Sequence, residues 1–202
     1  MNPTFIYVGA IYAIAVALTR RGSNPLPKRI AVLFYALVLI FLFQAMTGPY
    51  VCIATDIPKL IAPWSASAPG LTKYTVLNME THDVPMQLVP WAHQVRSAWL
   101  SGNAPLWNAL AGCGYPLLAN AQSAALSPLR ILALPLPLGY AMTAEAAMEM
   151  VVALTFKCLY CRRRYGVHPG GIAASGDGWG PCVVAGRSWP PSTAAGLRAV
   201  GL

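Results

Sequence analysis

Two apolar runs open the chain, and the polar residues between them are mostly basic. Met1 to Thr19 carries no charge, Arg20, Arg21, Lys28 and Arg29 follow, and Ile30 to Thr55 is again free of charged residues. Two apolar segments joined by a short basic turn predict a helical membrane hairpin. The first span, about Thr4 to Thr19, is near the lower length limit, because about 20 residues are needed to cross a hydrocarbon core of about 30 Å. The second, Ile30 to Met46, is almost wholly aliphatic and aromatic apart from one amide, Gln44. Gly48 and Pro49 end it, since proline lacks an N–H and disfavours a helical residue before it.

From Thr47 to about Pro137 the pattern changes to a mixture of Pro, Trp, Asn, Gly and scattered charges. Within this stretch Val84 to Leu100 has helical spacing, with Trp91, Val95 and Trp99 four residues apart on one face. Ser101-Gly102-Asn103 predicts its stop. Leu106 to Asn120, broken by Gly112, Gly114 and Pro116, predicts loop with short turns. A third apolar span, Leu138 to Cys161, contains Glu145, Glu149 and Lys157 and is closed by Arg162, Arg163 and Arg164. Glu145 and Glu149 are four apart and so share a helical face. Acids inside a membrane face a bundle interior or a wet cavity, and the competing reading lays this segment at the interface.

Composition agrees with a membrane setting. The 202 residues are 56% hydrophobic and only 10% charged, with mean hydropathy +0.53, whereas soluble domains carry about 25% charged residues. The formal charge is +8, but most basic residues sit in two clusters, Arg20 to Arg29 and Lys157 to Arg164, each at the end of an apolar span. That is the distribution of cytoplasmic flanks, and it argues against a nucleic-acid partner, which would need a basic stripe. Nothing basic precedes Phe5, so the first span does not read as a removable signal peptide.

The expected fold class is therefore all-α integral membrane, with about three transmembrane helices, the N-terminus outside and membrane lipid as a partner. The parts are a hairpin at 1–46, an extracytoplasmic loop with short helices at 47–137, a third helix at 138–161 and a cytoplasmic Gly/Pro-rich tail at 162–202. Nine of the seventeen glycines fall after Tyr165, and no packed domain is expected there, because too little apolar surface is organised to offset chain entropy. The abrupt change at Gly166 reads as a shifted frame or truncation. The five cysteines form no zinc pattern, while Cys52 and Cys113 would share the oxidising side and are candidates for a disulfide.

The run from Thr81 to Leu129 carries a resemblance. Asp83 before the Pro90-Trp91 helix, Ser-Gly-x-x-Pro-Leu-Trp-Asn at Ser101 to Asn108, Gly-x-Pro-Leu-Leu-Ala-Asn at Gly114 to Asn120 and Ser-Pro-Leu at Ser127 to Leu129 form an ordered set. The set resembles the first large extracytoplasmic loop of the YfhO-like bacterial membrane proteins, a family similar to the GT-C glycosyltransferases. The resemblance covers about Lys28 to Tyr165, and the family's chains are several times longer. It implies a multi-pass protein of the inner (plasma) membrane that transfers sugar from a polyprenyl-phosphate donor to an envelope acceptor. On this view the chain is an N-terminal fragment, inactive by itself.

In such enzymes a carboxylate of this loop acts as base or holds a divalent metal ion, and by position the resemblance implies Asp83 for that role. Glu80, three residues earlier, is the weaker candidate, and His82 and His93 would permit ligation or proton transfer. The competing reading makes Asp83 a helix N-cap. Trp91, Trp99 and Trp107 suit either sugar stacking or an interfacial belt. Asn108, Asn120 and Gln122 suit sugar hydroxyls, or turns beside Gly and Pro. Arg96 and Arg130 match lipid phosphate in geometry, or rest in solvent and headgroups. The function class that competes with catalysis is a membrane-anchored interaction module, and Glu145 with Glu149 leaves a transporter reading open.

Overall fold

The structure, a computed structural model, describes residues 2–20, 25–53, 57–67 and 81–165. The described chain is mostly helical. Helix α1 spans Thr4–Thr19, α2 Lys28–Phe41, α3 Phe43–Thr47, α4 Val89–Leu100, α5 Pro128–Ala133 and α6 Leu138–Tyr165, with one two-stranded ladder between α4 and α5. Glu80 and the tail at 166–202 lie outside the described residues. No single described helix is both long and apolar enough to cross a membrane. Ala121–Ala133 and Leu138–Arg163 meet that test only as a pair, bent by 93°.

The chain folds as two compact units. The described residues of the first are 2–10, 39–53, 57–67 and 81–149. At its start Asn2 is buried, and its carboxamide nitrogen donates to the carbonyls of Ala45 (2.7 Å) and Gly48 (2.9 Å) while its oxygen accepts from the Thr4 amide (3.0 Å). One side chain thus caps the entry to α1 and the exit of α3, supplying partners that helix ends otherwise lack. The expected single span at Ile30 to Met46 is broken at Leu42 (φ −101°, ψ 23°), so that α2 stops and α3 begins as a separate turn ending at Gly48.

Beyond 80, Val84–Leu88 forms a widened π turn ahead of α4, with the Val89 amide bonded to the Val84 carbonyl. Pro90 explains it: proline offers no donor to the carbonyl four residues back and crowds it. The predicted face of α4 is the buried one. Val95, Leu117 and Ala125 make a closed apolar cluster, with Trp91, Trp99 and Leu118 packed around it. Leu106 to Asn120 is not loop throughout. Trp107 pairs with Pro116 and Asn108 with Tyr115 in a short antiparallel ladder, and the positive φ of Gly112 (58°) and Gly114 (86°) turns the chain between the strands.

The described residues of the second unit are 11–20, 25–38 and 150–165. Its described core holds Tyr12, Val16, Phe34, Val38, Val151, Cys158 and Cys161. The Tyr12 hydroxyl shares a buried hydrogen bond of 3.0 Å with Thr155, and its ring stacks on Tyr35 with centroids 6.2 Å apart. Arg162 donates to the Pro25 carbonyl at 2.9 Å.

Candidate functional site

The buried face of α4 is held at two points, and this fixes what its opposite face presents. The Trp91 indole N–H donates to the Tyr115 hydroxyl, and that of Trp99 donates to the Ala125 carbonyl at 3.0 Å. Both tryptophans thus fasten α4 to the ladder and to the segment before α5. Trp91 and Trp99 are half-buried against the core. Trp107 is the one of the three that is exposed, at 56%.

On the far side of α4 from that core lie His93, Gln94, Ser97 and Ser101, spaced as one helical strip. They border two open clefts. The first, about 480 Å³, is lined by His93, Gln94, Ser97, Asn103, Trp107 and Leu110 among others. The second, about 460 Å³, is lined by Trp91, His93, Gln94, Asn108, Leu110 and Tyr115, with an apolar wall from Met86 and Leu138. His93, Gln94 and Leu110 belong to both.

Of the residues singled out in the sequence, Trp91, Trp107, Asn108 and His93 therefore converge. Asn108 is buried, and its Oδ1 accepts from the Leu110 amide at 3.0 Å, so it shapes the turn that carries Leu110 and also faces the second cleft. Gln94, Ser97 and Tyr115 belong to the same surface and were not singled out. Their signal was legible for the helix: positions 93, 97 and 101 form the polar face opposite 91, 95 and 99. Tyr115 carried no comparable periodic mark.

The other candidates are placed elsewhere. Asp83 lines neither cleft. It lies one turn before the cleft residue Gln87, has helical backbone angles, makes no capping hydrogen bond and pairs with His82 at 3.0 Å, both side chains 61% exposed. The N-cap reading thus gives way to an exposed carboxylate–imidazole pair, and His82 is not unpaired. Asn120 caps the short turn Ala121–Ser123 by accepting from the Gln122 amide at 3.1 Å, the turn role rather than an open hydroxyl-binding amide. Arg96 donates to the Leu134 carbonyl.

Arg130 is engaged within the chain. Its Nε lies 3.2 and 3.1 Å from the two carboxylate oxygens of Glu145, its Nη2 lies 3.1 Å from Oε2, and its Nη1 donates to the Ser123 carbonyl. Glu145 is buried against Arg130, whereas Glu149 is exposed. Arg96, Arg130 and Glu145 border a hollow of only about 20 Å³, room for about one water molecule.

Cys52 and Cys113 are both free thiols, so the structure does not form the disulfide considered for them. Burial pushes the Cys52 thiol pKa up, with a hydrogen bond from Thr143 acting in the opposite direction. Among the described residues no three of His, Cys, Asp and Glu come together to hold a metal ion. The divalent metal that the resemblance implies therefore has no donor set there. Compared with protein-family models, curated proteins and solved structures, the chain matches none.

Proposed function

We propose that the chain is part of a GT-C-like glycosyltransferase of the inner membrane, and that its loop binds the sugar end of a polyprenyl-phosphate donor. The observation that carries this reading is the pair of clefts meeting at His93 and Gln94. Aromatic walls with a few convergent amides and hydroxyls are what a saccharide needs, since ring faces stack on indole and hydroxyls take directional hydrogen bonds. The membrane part is supported by the uncharged runs in the sequence and by the outward faces of the leading helices, where Ile14, Leu18, Val32, Ile40 and Phe41 are all exposed. Acyl chains would cover such residues at no cost.

On this reading the described residues bind and orient, and the chain alone is not expected to turn over. A base must come within hydrogen-bond reach of the hydroxyl it activates, and among the described residues no carboxylate lines either cleft. Asp83, one turn before Gln87, would complete the site from its rim in a longer parent protein. The decisive measurement is saturation-transfer NMR of the chain in phosphatidylcholine nanodiscs with a short-chain prenyl-phosphate glucose. Saturable transfer to the sugar protons, lost in Trp107→Ala and His93→Ala, is the expected result. No saturable signal at any accessible concentration overturns the reading.

The exposed position of Asp83 outside both clefts favours a second reading, a non-enzymatic module that docks on lipid or a partner. Asp83→Asn in a longer protein bearing the same motifs separates the two. Loss of transfer at normal expression supports catalysis, and full activity leaves the binding module.

A further inference from the structure

We infer that the rim shared by the two clefts is seated in the headgroup region of a zwitterionic bilayer, so that both clefts open onto lipid and a ligand enters them sideways from the membrane. This rests on the membrane reading above and goes beyond it by assigning the surface that touches lipid. Leu110, which lines both clefts, is 80% exposed, and beside it in the first cleft Leu106 is 59% and Trp107 56% exposed. Leu110 stands out between two hollows, and a group of large exposed apolar side chains marks a surface made to be covered.

Charge selects the cover. No charged residue occurs between Arg96 and Arg130, so the stretch that carries Leu106, Trp107 and Leu110 offers no formal charge to an acidic or basic partner or to anionic lipid, and α4 adds His93 and Gln94 to the shared rim. The polar groups that border the same first cleft are the amides and hydroxyls of Asn103, Ser97 and Gln94 together with the imidazole of His93. A neutral surface that combines leucine, indole and amide matches the level where lipid hydrocarbon meets phosphocholine, the depth that tryptophan prefers. One part of the Trp107 ring is fixed against the Gly114 backbone, which approaches so closely that a methyl group there would lie 2.5 Å from Nε1. The indole is thus held in place at the rim.

The test places a diazirine-bearing leucine analogue at position 110, and at the exposed position 82 as a comparison, in the full chain. The protein is assembled into phosphatidylcholine nanodiscs, irradiated and examined by mass spectrometry. Position 110 is expected to yield phosphatidylcholine adducts at least several-fold more often than position 82. Quenching by water alone at position 110, or crosslinks only to a second copy of the chain or to another protein, overturns the inference. As a second measurement, brominated phosphatidylcholine should quench the part of the emission that Trp107→Phe removes, and an unquenched Trp107 counts against the proposal. Vesicle flotation of the same sample separates the two levels of the argument. A chain that floats while position 110 meets only water disproves the lipid-seated rim and leaves the membrane reading standing; a chain that does not float disproves both.

Discussion

Arg130 holds Glu145 side-on across the bend between α5 and α6, with Nε and Nη2 each within 3.2 Å of carboxylate oxygens. The two side chains are only 13% and 11% exposed. The same guanidinium reaches the Ser123 carbonyl, so one residue ties the turn at Ala121–Ser123, α5 and α6 together. Removing one partner leaves the other charge buried without compensation, a change that costs about 3–5 kcal/mol, whereas replacing both by apolar residues is often neutral. Glu145→Leu is therefore expected to lower the unfolding midpoint sharply, and the double change Arg130→Met with Glu145→Leu to recover most of it. Thermal unfolding in a mild detergent measures both. Equal damage from the single and double changes would show that the pair does not bear on stability.

Asn2 and Thr4 make a contrasting pair at the other end of this unit. Asn2→Ala deprives the carbonyls of Ala45 and Gly48 of a buried donor and the Thr4 amide of its acceptor. Leaving such groups unsatisfied costs about 1–3 kcal/mol each where water cannot replace the lost partner. The Thr4 hydroxyl, by contrast, is buried with no partner, so the isosteric Thr4→Val removes a desolvated polar atom and is expected to be neutral or stabilising by up to about 1 kcal/mol. Amide exchange over residues 43–48 should rise in Asn2→Ala and stay unchanged in Thr4→Val.

The sequence pattern was informative wherever contacts are local. An uncharged apolar run marked α1 at Thr4–Thr19, and the spacing of Trp91, Val95 and Trp99 identified both a helix and its buried face. The break at Leu42 left no mark, because neither proline nor glycine stands there. Pairing over longer separations was equally invisible. Arg130 resembled a free cation and Glu145 one half of an acidic pair with Glu149, since periodicity relates neighbours on one helix and says nothing of a guanidinium fifteen residues away. Asn108 read as an amide for sugar hydroxyls or for a turn, and its bond from the Leu110 amide is the turn role, but its burial beside the ladder with Tyr115 is something two-residue strands do not announce. The site is legible in its residue types, while its outline, two clefts meeting at His93, depends on those long-range contacts.

The thiol of Cys52 gives a pH-dependent prediction. Burial raises its pKa, with the hydrogen bond from Thr143 partly offsetting the rise. The folded chain therefore keeps this proton to higher pH than the unfolded chain. The stabilisation that this contributes is complete below the ordinary cysteine range and is lost as pH rises through the folded-state value. Alkylation by iodoacetamide, which requires the thiolate, should be slow at Cys52 at pH 8 and accelerate above the ordinary thiol range. Thr143→Val removes the offsetting hydrogen bond and should displace that acceleration to still higher pH. A Cys52 that reacts at pH 8 as fast as free cysteine would contradict the burial.

Gly114 and Gly112 allow conformational strain to be separated from contact at the rim of the clefts. Both have positive φ, 86° and 58°, where a side chain costs about 1–2 kcal/mol. A methyl group on Gly112 would meet nothing within 4 Å, whereas one on Gly114 would lie 2.5 Å from Trp107 Nε1 and 2.8 Å from two further ring atoms. Gly112→Ala should accordingly lower stability slightly while leaving Trp107 where it is. Gly114→Ala should destabilise more and also push the indole off its seat, altering the wall of the first cleft. The difference spectrum between each variant and its own Trp107→Phe counterpart isolates Trp107 emission. A changed maximum in Gly114→Ala with an unchanged one in Gly112→Ala is the expected pattern. Identical emission in both would mean that the ring is not held by the glycine beneath it, and any ligand lost in Gly114→Ala alone would then owe its loss to backbone strain.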